Sequence, residues 1–324
     1  MTASTSRRLL LAAALGAAFV PAWAQSTFPS RAITLVVPFA PGGIADVTAR
    51  TVAEAMAKDL GQAIVVDNRP SAGSIVATQA VIGAKPDGHT LLLISNGHAV
   101  SAGLFKKLPY DTVKDLAPIS TLGFFDLALF VDAKSPATSV AQLMQKARTA
   151  PGQVKLGTIS VGSTQHLAAK LFETVSGAEF LVVPYKTSPA VLMALRSGEI
   201  DVALEITGPA LPQVTGGALK ALAVTSAQRN PALPDVPTLQ QSGIANYNVS
   251  SWNAIAAPAG TPPAVIERVN AAIRAAIASP AVVGKLEKLG MRLQAGSPAE
   301  AQALLASDIQ RWTGVIRAAK IETE

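Results

Sequence analysis

Residues 33–50 read Ile-Thr-Leu-Val-Val-Pro-Phe-Ala-Pro-Gly-Gly-Ile-Ala-Asp-Val-Thr-Ala-Arg. The run Ile33 to Val37 has the apolar character of a strand buried on both faces of a parallel sheet. Pro38, Pro41, Gly42 and Gly43 then force a turn. From Ile44 the apolar residues fall at helical spacing through Val47, Val52, Met56 and Leu60, and Gly61 stands where a helix C-cap is expected. A strand, a glycine-rich turn and a helix start together present unpaired backbone N–H groups and the positive end of a helix dipole, an arrangement that binds anions. No lysine or arginine lies between Arg31 and Arg50. An anion seated here is therefore held by backbone and dipole. An ordinary βα turn is the competing reading of the same residues.

The middle of the chain repeats the pattern. Lys155 to His166 runs from a short strand into a turn containing Gly157 and Gly162. A helix is expected from Thr164, with Leu167, Leu171, Phe172 and Val175 on its apolar face and Ser163 or Thr164 as N-cap. Ligands of open α/β sheets sit at the carboxyl ends of the strands, where both turns fall. Two such turns facing each other across a cleft suit a solute with two acceptor ends.

The chain has 324 residues, a formal net charge of +6 and no cysteine. Disulfides, thiol catalysis and thiolate metal sites are thereby excluded. Arg7 and Arg8, the apolar stretch Leu9 to Val20 and Ala22-Trp23-Ala24 have the layout of an export signal cleaved after about Ala24. Ser6-Arg7-Arg8-Leu9-Leu10 also resembles a twin-arginine signal. The expected location is the periplasm. Lysines and arginines are scattered and aromatic residues few, so a nucleic-acid partner is not expected.

Strand-like segments at Ala63–Val66, Thr90–Ser95, Leu127–Val131, Val154–Thr158, Phe180–Tyr185, Val202–Ile206 and Leu219–Thr225 alternate with helical patterns at about Ser74–Ala84, Ser139–Thr149, Thr164–Ser176 and Pro189–Ser197. This alternation is that of a parallel α/β protein. The C-terminal end is mostly helical, with one apolar face through Ile266, Val269, Ile273 and Ile277 and a capping box at Ser297 to Glu300. The length calls for two domains, and the absence of a low-complexity linker favours two crossovers, near Phe124–Val131 and Tyr247–Ala257. The expected division is residues 1–24 as signal, 25–126 with 254–324 as one domain, and 127–253 as the other.

Beyond these local patterns the chain resembles the Bug family, the TctC-like periplasmic solute receptors of tripartite tricarboxylate transporters. The match is carried by Phe28–Ile33, Val37–Asp46, Asn68–Gly73, Pro86–Leu91, Leu108–Asp111, Gly162–His166, Val183–Lys186, Leu233–Thr238, Ser251-Trp252 and Ala257–Pro262. The resemblance implies an α/β type II periplasmic binding protein: two Rossmann-like domains, two crossovers and a cleft that closes on a small organic carboxylate. It implies no cofactor, no metal and no catalysis, a monomer, and the membrane subunits of such a transporter as partner. One ligand carboxylate would lie against the first turn, drawing on Phe39, Ala40, Gly42, Gly43, Ile44 and Asp46. Gly162, Ser163, Thr164 and His166 would serve from the other domain. Ser95 and Asn96, and Glu205 and Thr207, stand at further strand ends and are candidates for the cleft lining. Phe39 is the best candidate for an apolar wall, with Phe125 and Trp252 close to the cleft or crossovers. Where the family commonly has a hydroxyl after Gly-Gly, this chain has Ile44-Ala45, and Thr187 replaces a family glycine. These departures point towards a ligand with an apolar or aromatic body, such as terephthalate.

Rival readings are a solute sensor for a signalling partner, which needs the same closing cleft, and an exported α/β hydrolase. The hydrolase requires a Gly-x-Ser-x-Gly elbow, and the nearest segment, Thr158-Ile159-Ser160-Val161-Gly162, has threonine at the first glycine. Pro41-Gly42-Gly43 likewise lacks dinucleotide-binding spacing. His89 and His98 have no acidic partners at metal-ligand spacing.

Overall fold

The computed structural model describes residues 28–323. The expected export signal lies outside them. The leading strand is β1 (Ile33–Val37), followed by α1 (Ile44–Leu60), β2 (Ile64–Asn68), a 3₁₀ turn at Ala72–Ser74, α2 (Ile75–Ile82), β3 (Thr90–Ser95) and α3 (Asn96–Leu104). A 17-residue strand, β4 (Leu116–Asp132), leads on to α4 (Val140–Thr149), β5 (Lys155–Ile159), α5 (Thr164–Ser176), β6 (Leu181–Tyr185) and α6 (Ser188–Ser197). Then come β7 (Val202–Ile206), α7 (Thr207–Thr215), β8 (Leu219–Val224), β9 (Ser250–Pro258), α8 (Pro263–Ala278), α9 (Pro280–Leu286), β10 (Met291–Leu293) and α10 (Pro298–Ala318).

The strands form one curled sheet in the order β2-β1-β3-β9-β4-β7-β5-β6, with β8 and β10 also paired to β4. The α/β fold class read from the sequence is the one observed. β1 lies parallel between β2 and β3, and β5 parallel between β6 and β7. β4 and β9 run antiparallel to their neighbours, which the alternation of strands and helices does not disclose. From Leu116 to Asp126, β4 pairs with β9, ending in the register pair Asp126–Ser250. From Leu127 onward it pairs with β7, and from Ala128 with β8. The returning chain follows suit. Val249 N–H still bonds to Thr225, beside Leu127, whereas Ser250 opens β9. The chain thus passes between the two ends of the sheet at adjacent points, 126/127 and 249/250.

β1 is buried on both faces, as an apolar run in a parallel sheet should be. Ile33, Leu35 and Val37 pack against Val52 and Met56 of α1 and Val269 and Ile273 of α8. Val36 faces the opposite core with Val81 and Ile94. α1 ends as its sequence signals, with Gly61 left-handed and its N–H bonded to the Ala57 carbonyl.

The larger core joins the two ends of the sheet. Leu127, Leu129, Leu167, Phe172, Tyr247, Trp252 and Trp312 share it. Tyr247 donates its hydroxyl to the Ala168 carbonyl at 2.6 Å and meets Phe172 edge-on. Trp252 of β9 donates its indole N–H to the buried Asp308 carboxylate of α10 at 2.7 Å. Trp252→Phe leaves that carboxylate short of a partner inside the core. It should lower the unfolding free energy by about 1–3 kcal/mol in a urea titration, and an unchanged midpoint would show that the bond contributes nothing.

Candidate functional site

Every cleft-facing junction lies at the carboxyl end of a strand, two of them in each half of the sheet. The C-terminal ends of β1, β3, β5 and β7 lead into α1, α3, α5 and α7, through a glycine turn after β1 and β5 and without a break after β3 and β7, and these junctions surround a cavity of about 300 Å³. Phe39, Ile44 and Ala45 reach it from β1–α1, and Ser95, Asn96 and Gly97 from β3–α3. Ile159, Gly162, Ser163, Thr164 and Gln165 enter from β5–α5, and Ile206 from β7–α7. β4 and β9 close the wall with Phe125, Ser251 and Asn253. None of these side chains is charged.

The two glycine turns are built alike. Gly42 and Gly162 have φ of +82° and +77°, a left-handed conformation that glycine adopts without strain. Each turn N–H then points back to the side chain four residues on, Gly42 to Asp46 at 2.9 Å and Gly162 to His166 Nδ1 at 3.5 Å. Asp46 and His166 therefore stand behind their turns and not in the cavity wall. Asp46 also accepts from Arg50 Nε at 3.1 Å and from Asn68 Nδ2 at 2.9 Å. The same Asn68 nitrogen donates to the Phe39 carbonyl at 3.0 Å, so one polar ring holds the whole first turn from the rear. Arg50 is spent in that ring. Burial alone would raise the Asp46 pKa, but the Gly42 N–H, Arg50 and Asn68 together hold it below the ordinary carboxylate range. Burial, with Lys170 nearby, lowers the His166 pKa, which suits a neutral imidazole accepting from an N–H.

The two helix starts differ in one consequential way. Gly43, the N-cap of α1, has no side chain to cap with, so the N–H groups of Ile44, Ala45 and Asp46 have no partner among the described residues. On α5, Ser163 Oγ accepts from His166 N–H at 3.1 Å, which leaves Thr164 and Gln165 as the open donors. Two positive helix ends thus look into one uncharged cavity. Ile44, Phe39, Phe125, Ile159 and Ile206 form an apolar waist around it.

Polar side chains bridge the cavity. Asn96 donates to Thr164 Oγ1 and accepts from Ser251 Oγ at 3.1 Å, joining β3–α3, β5–α5 and β9. Ser95 caps α3 through Gly97 N–H, with His98 returning the capping box. Glu205 is fully buried behind the wall, where Oε1 accepts from Gln165 Nε2 at 2.6 Å and from the Ile206 N–H at 2.8 Å, so it orients Gln165. Burial raises its pKa. Thr207 is likewise buried outside the wall, and Ala40, Gly42 and Gly43 are exposed and do not line the cavity. The cavity therefore gathers Phe39, Ile44, Ser95, Asn96, Gly162, Ser163 and Thr164 from the sequence-derived candidates. It adds Ala45, Gly97, Ile159, Gln165, Ile206, Ser251 and Asn253. Ser251 and Asn253 were detectable from alternation about the buried Trp252 once β9 was known to be a strand.

Ser163 Oγ donates to the Ile159 carbonyl at 3.1 Å and is not paired with the imidazole of His166, so no nucleophile–base pair exists at this turn. Among the described residues no helix is long and apolar enough to cross a membrane.

The profile of the tripartite tricarboxylate transporter family receptor matches residues 48–321. The chain belongs to that family. BugT of Bordetella pertussis is 36% identical over 293 residues, covering 90% of each chain. An R. palustris protein solved with adipate is 33% identical, superposes with a TM-score of 0.78, and aligns over 92% of this chain and all of its own. MatC from Rhodopseudomonas palustris with bound malate is 30% identical, with a TM-score of 0.75 over 89% of this chain and all of that one. Family members are periplasmic binding proteins, and the TctC/Bug chain described here is a solute-binding receptor, not an enzyme.

The Asp46 ring gives a pH test. Its depressed pKa means that its contribution is complete above the unfolded value of about 3.9 and is lost as pH falls through the lower folded value. Asp46→Asn should cost about 1–2 kcal/mol of stability at pH 7. The gap from wild type should narrow below about pH 4. A gap that stays constant down to pH 3 would mean the charge of Asp46 is not what holds the turn.

Proposed function

We propose that this receptor captures a small organic dicarboxylate and delivers it to the membrane subunits of a tripartite tricarboxylate transporter. One carboxylate sits on the open N–H groups of Ile44, Ala45 and Asp46, and the opposite end meets those of Thr164 and Gln165. The observation that carries the reading is an uncharged cavity with a helix N-terminus at either side, since helix starts bind anions through backbone donors and dipole. The apolar waist favours a ligand whose middle is hydrocarbon, aliphatic or aromatic, with terephthalate in the second class. The bound adipate and malate of the two relatives support the carboxylate chemistry. Two lobes, residues 25–126 with 250–324 and residues 127–249, close on the ligand by rotating about 126/127 and 249/250. The second boundary falls four residues earlier than the expected 253/254 because Ser250 already opens β9. The protein acts as a monomer after export to the periplasm, with the signal removed after about Ala24.

A thermal-shift series with adipate, malate and terephthalate tests the reading. A ligand present at 100 times its dissociation constant should add about 2.7 kcal/mol to the stability of the folded chain. If no mono-, di- or tricarboxylate moves the transition, the carboxylate reading fails. Gly43→Val should abolish the shift with the fold intact. Gly43 has an ordinary φ of −76°, and an added Cβ meets only the Ala40 carbonyl at 3.7 Å, so the branched side chain obstructs a ligand approaching the backbone without straining the turn. Asn96→Ala removes the bridge to Thr164 and Ser251 and should weaken binding about three- to tenfold. Undiminished affinity in both variants would move the site elsewhere.

A further inference from the structure

The β4–β9 ribbon has two sides. Strand alternation sends Phe125, Ser251 and Asn253 to the cavity described above, and Phe124, Ser250 and Trp252 to a second cavity of about 310 Å³ on the other side. The rear cavity is walled by both ends of the molecule. Ala227, Gln228 and Asn248 come from the segment that joins β8 to β9, and Arg292 and Arg311 from β10 and α10.

Its chemistry is the reverse of the front cavity. Arg292 lies over the Phe124 ring at 5.0 Å, donates to Gln294 Oε1 at 2.9 Å and stands 3.8 Å from Asp126. Arg311 donates to the Asn248 carbonyl at 3.2 Å and lies 3.3 Å from Asp308. Both acids have closer neutral partners. Asp126 accepts from Ser250 Oγ at 3.0 Å and Asn230 Nδ2 at 3.1 Å, and Asp308 from the Trp252 indole at 2.7 Å. The cavity lining itself carries two guanidinium groups against the one carboxylate of Asp308. Each guanidinium has five N–H donors in a fork that fits an oxyanion, and the contacts above use only part of them. Both arginine side chains keep more than a third of their surface exposed, at 36% and 39%.

We propose that this rear cavity is a second binding site, taking a small oxyanion, a phosphate or a carboxylate, between Arg292 and Arg311. Because the ribbon lies between the two cavities, a rotation that narrows the front widens the rear. An oxyanion seated behind the ribbon therefore favours the closed front, and by linkage each ligand tightens the other. This coupling rests on the closing motion proposed above, whereas occupancy of the rear site does not.

Calorimetric titration of inorganic phosphate, and separately of citrate, into the protein with and without adipate tests the proposal. At least one anion should bind at a single site without competing with adipate, and should tighten adipate binding. Phosphate alone would identify an inorganic occupant, citrate alone a carboxylate. Arg292→Gln and Arg311→Gln should each weaken the anion roughly tenfold or more. Ala227→Phe, which fills the cavity without removing a charge, should do the same. Gly43→Val, in the front turn, should leave anion binding unchanged, and circular dichroism checks that each variant folds. The proposal is overturned if neither anion binds at millimolar concentration, if the three rear variants bind it as wild type does, or if adipate displaces it. An anion that binds behind yet weakens adipate overturns the coupling.

Discussion

A helix that begins at the wall of a cavity has backbone N–H groups that no part of its own helix can satisfy. This molecule aims two such starts, α1 and α5, at the same uncharged space. Nearly everything else about the site follows from keeping those donors open and in place. A charged side chain in the wall would compete for the same guest or repel it. The charge that the first turn needs for rigidity, Asp46, is accordingly behind it, compensated there by Arg50 and Asn68. The second turn does the same work with a neutral His166 and with a serine cap that closes one donor. The first turn offers more open backbone, and its neighbours Ile44 and Ala45 contribute no hydroxyl.

The β4–β9 ribbon brings the two glycine turns to one cavity. It is the stretch of sheet through which the chain passes in both directions, and it sets the distance between α1 and α5. Its buried tie to α10 through Trp252 and Asp308 fixes the ribbon to the core, so the front wall of Phe125, Ser251 and Asn253 is held at a constant depth. A pair of adjacent crossing points, with no third connection among the described residues, is the geometry expected of lobes that rotate about one axis.

Much of this was legible in the sequence, and the boundary of what was legible is physical. β3, α5 and β7 are found at the positions read from their apolar patterns, and the glycine turns announced themselves through Gly42 and Gly162. α3 was not anticipated, because Asn96-Gly-His-Ala-Val-Ser-Ala-Gly-Leu104 contains two glycines and poor helix formers, and its stability comes from the Ser95–His98 capping box and packing against α10. α7 was hidden by Gly208, Pro209 and Pro212. The first half of β4, with Pro118, Ser120 and Gly123, has no strand-like period, since its register shifts twice against β9. Local sequence places a residue at a turn but does not say which way its side chain goes. Asp46, His166 and Glu205 are at the predicted junctions yet turn away from the cavity, and only the partners Gly42, Gly162 and Gln165 reveal why.

The central claim is that backbone donors at two helix starts, and not a cationic side chain, hold the ligand. Amide-resolved nuclear magnetic resonance during an adipate titration reads those donors directly. Saturating adipate should move the amide protons of Ile44, Ala45 and Asp46 at one end, and of Thr164 and Gln165 at the other, downfield as hydrogen bonds form. If adipate binds while these five amides stay in place and arginine or lysine side-chain signals shift instead, the account is wrong.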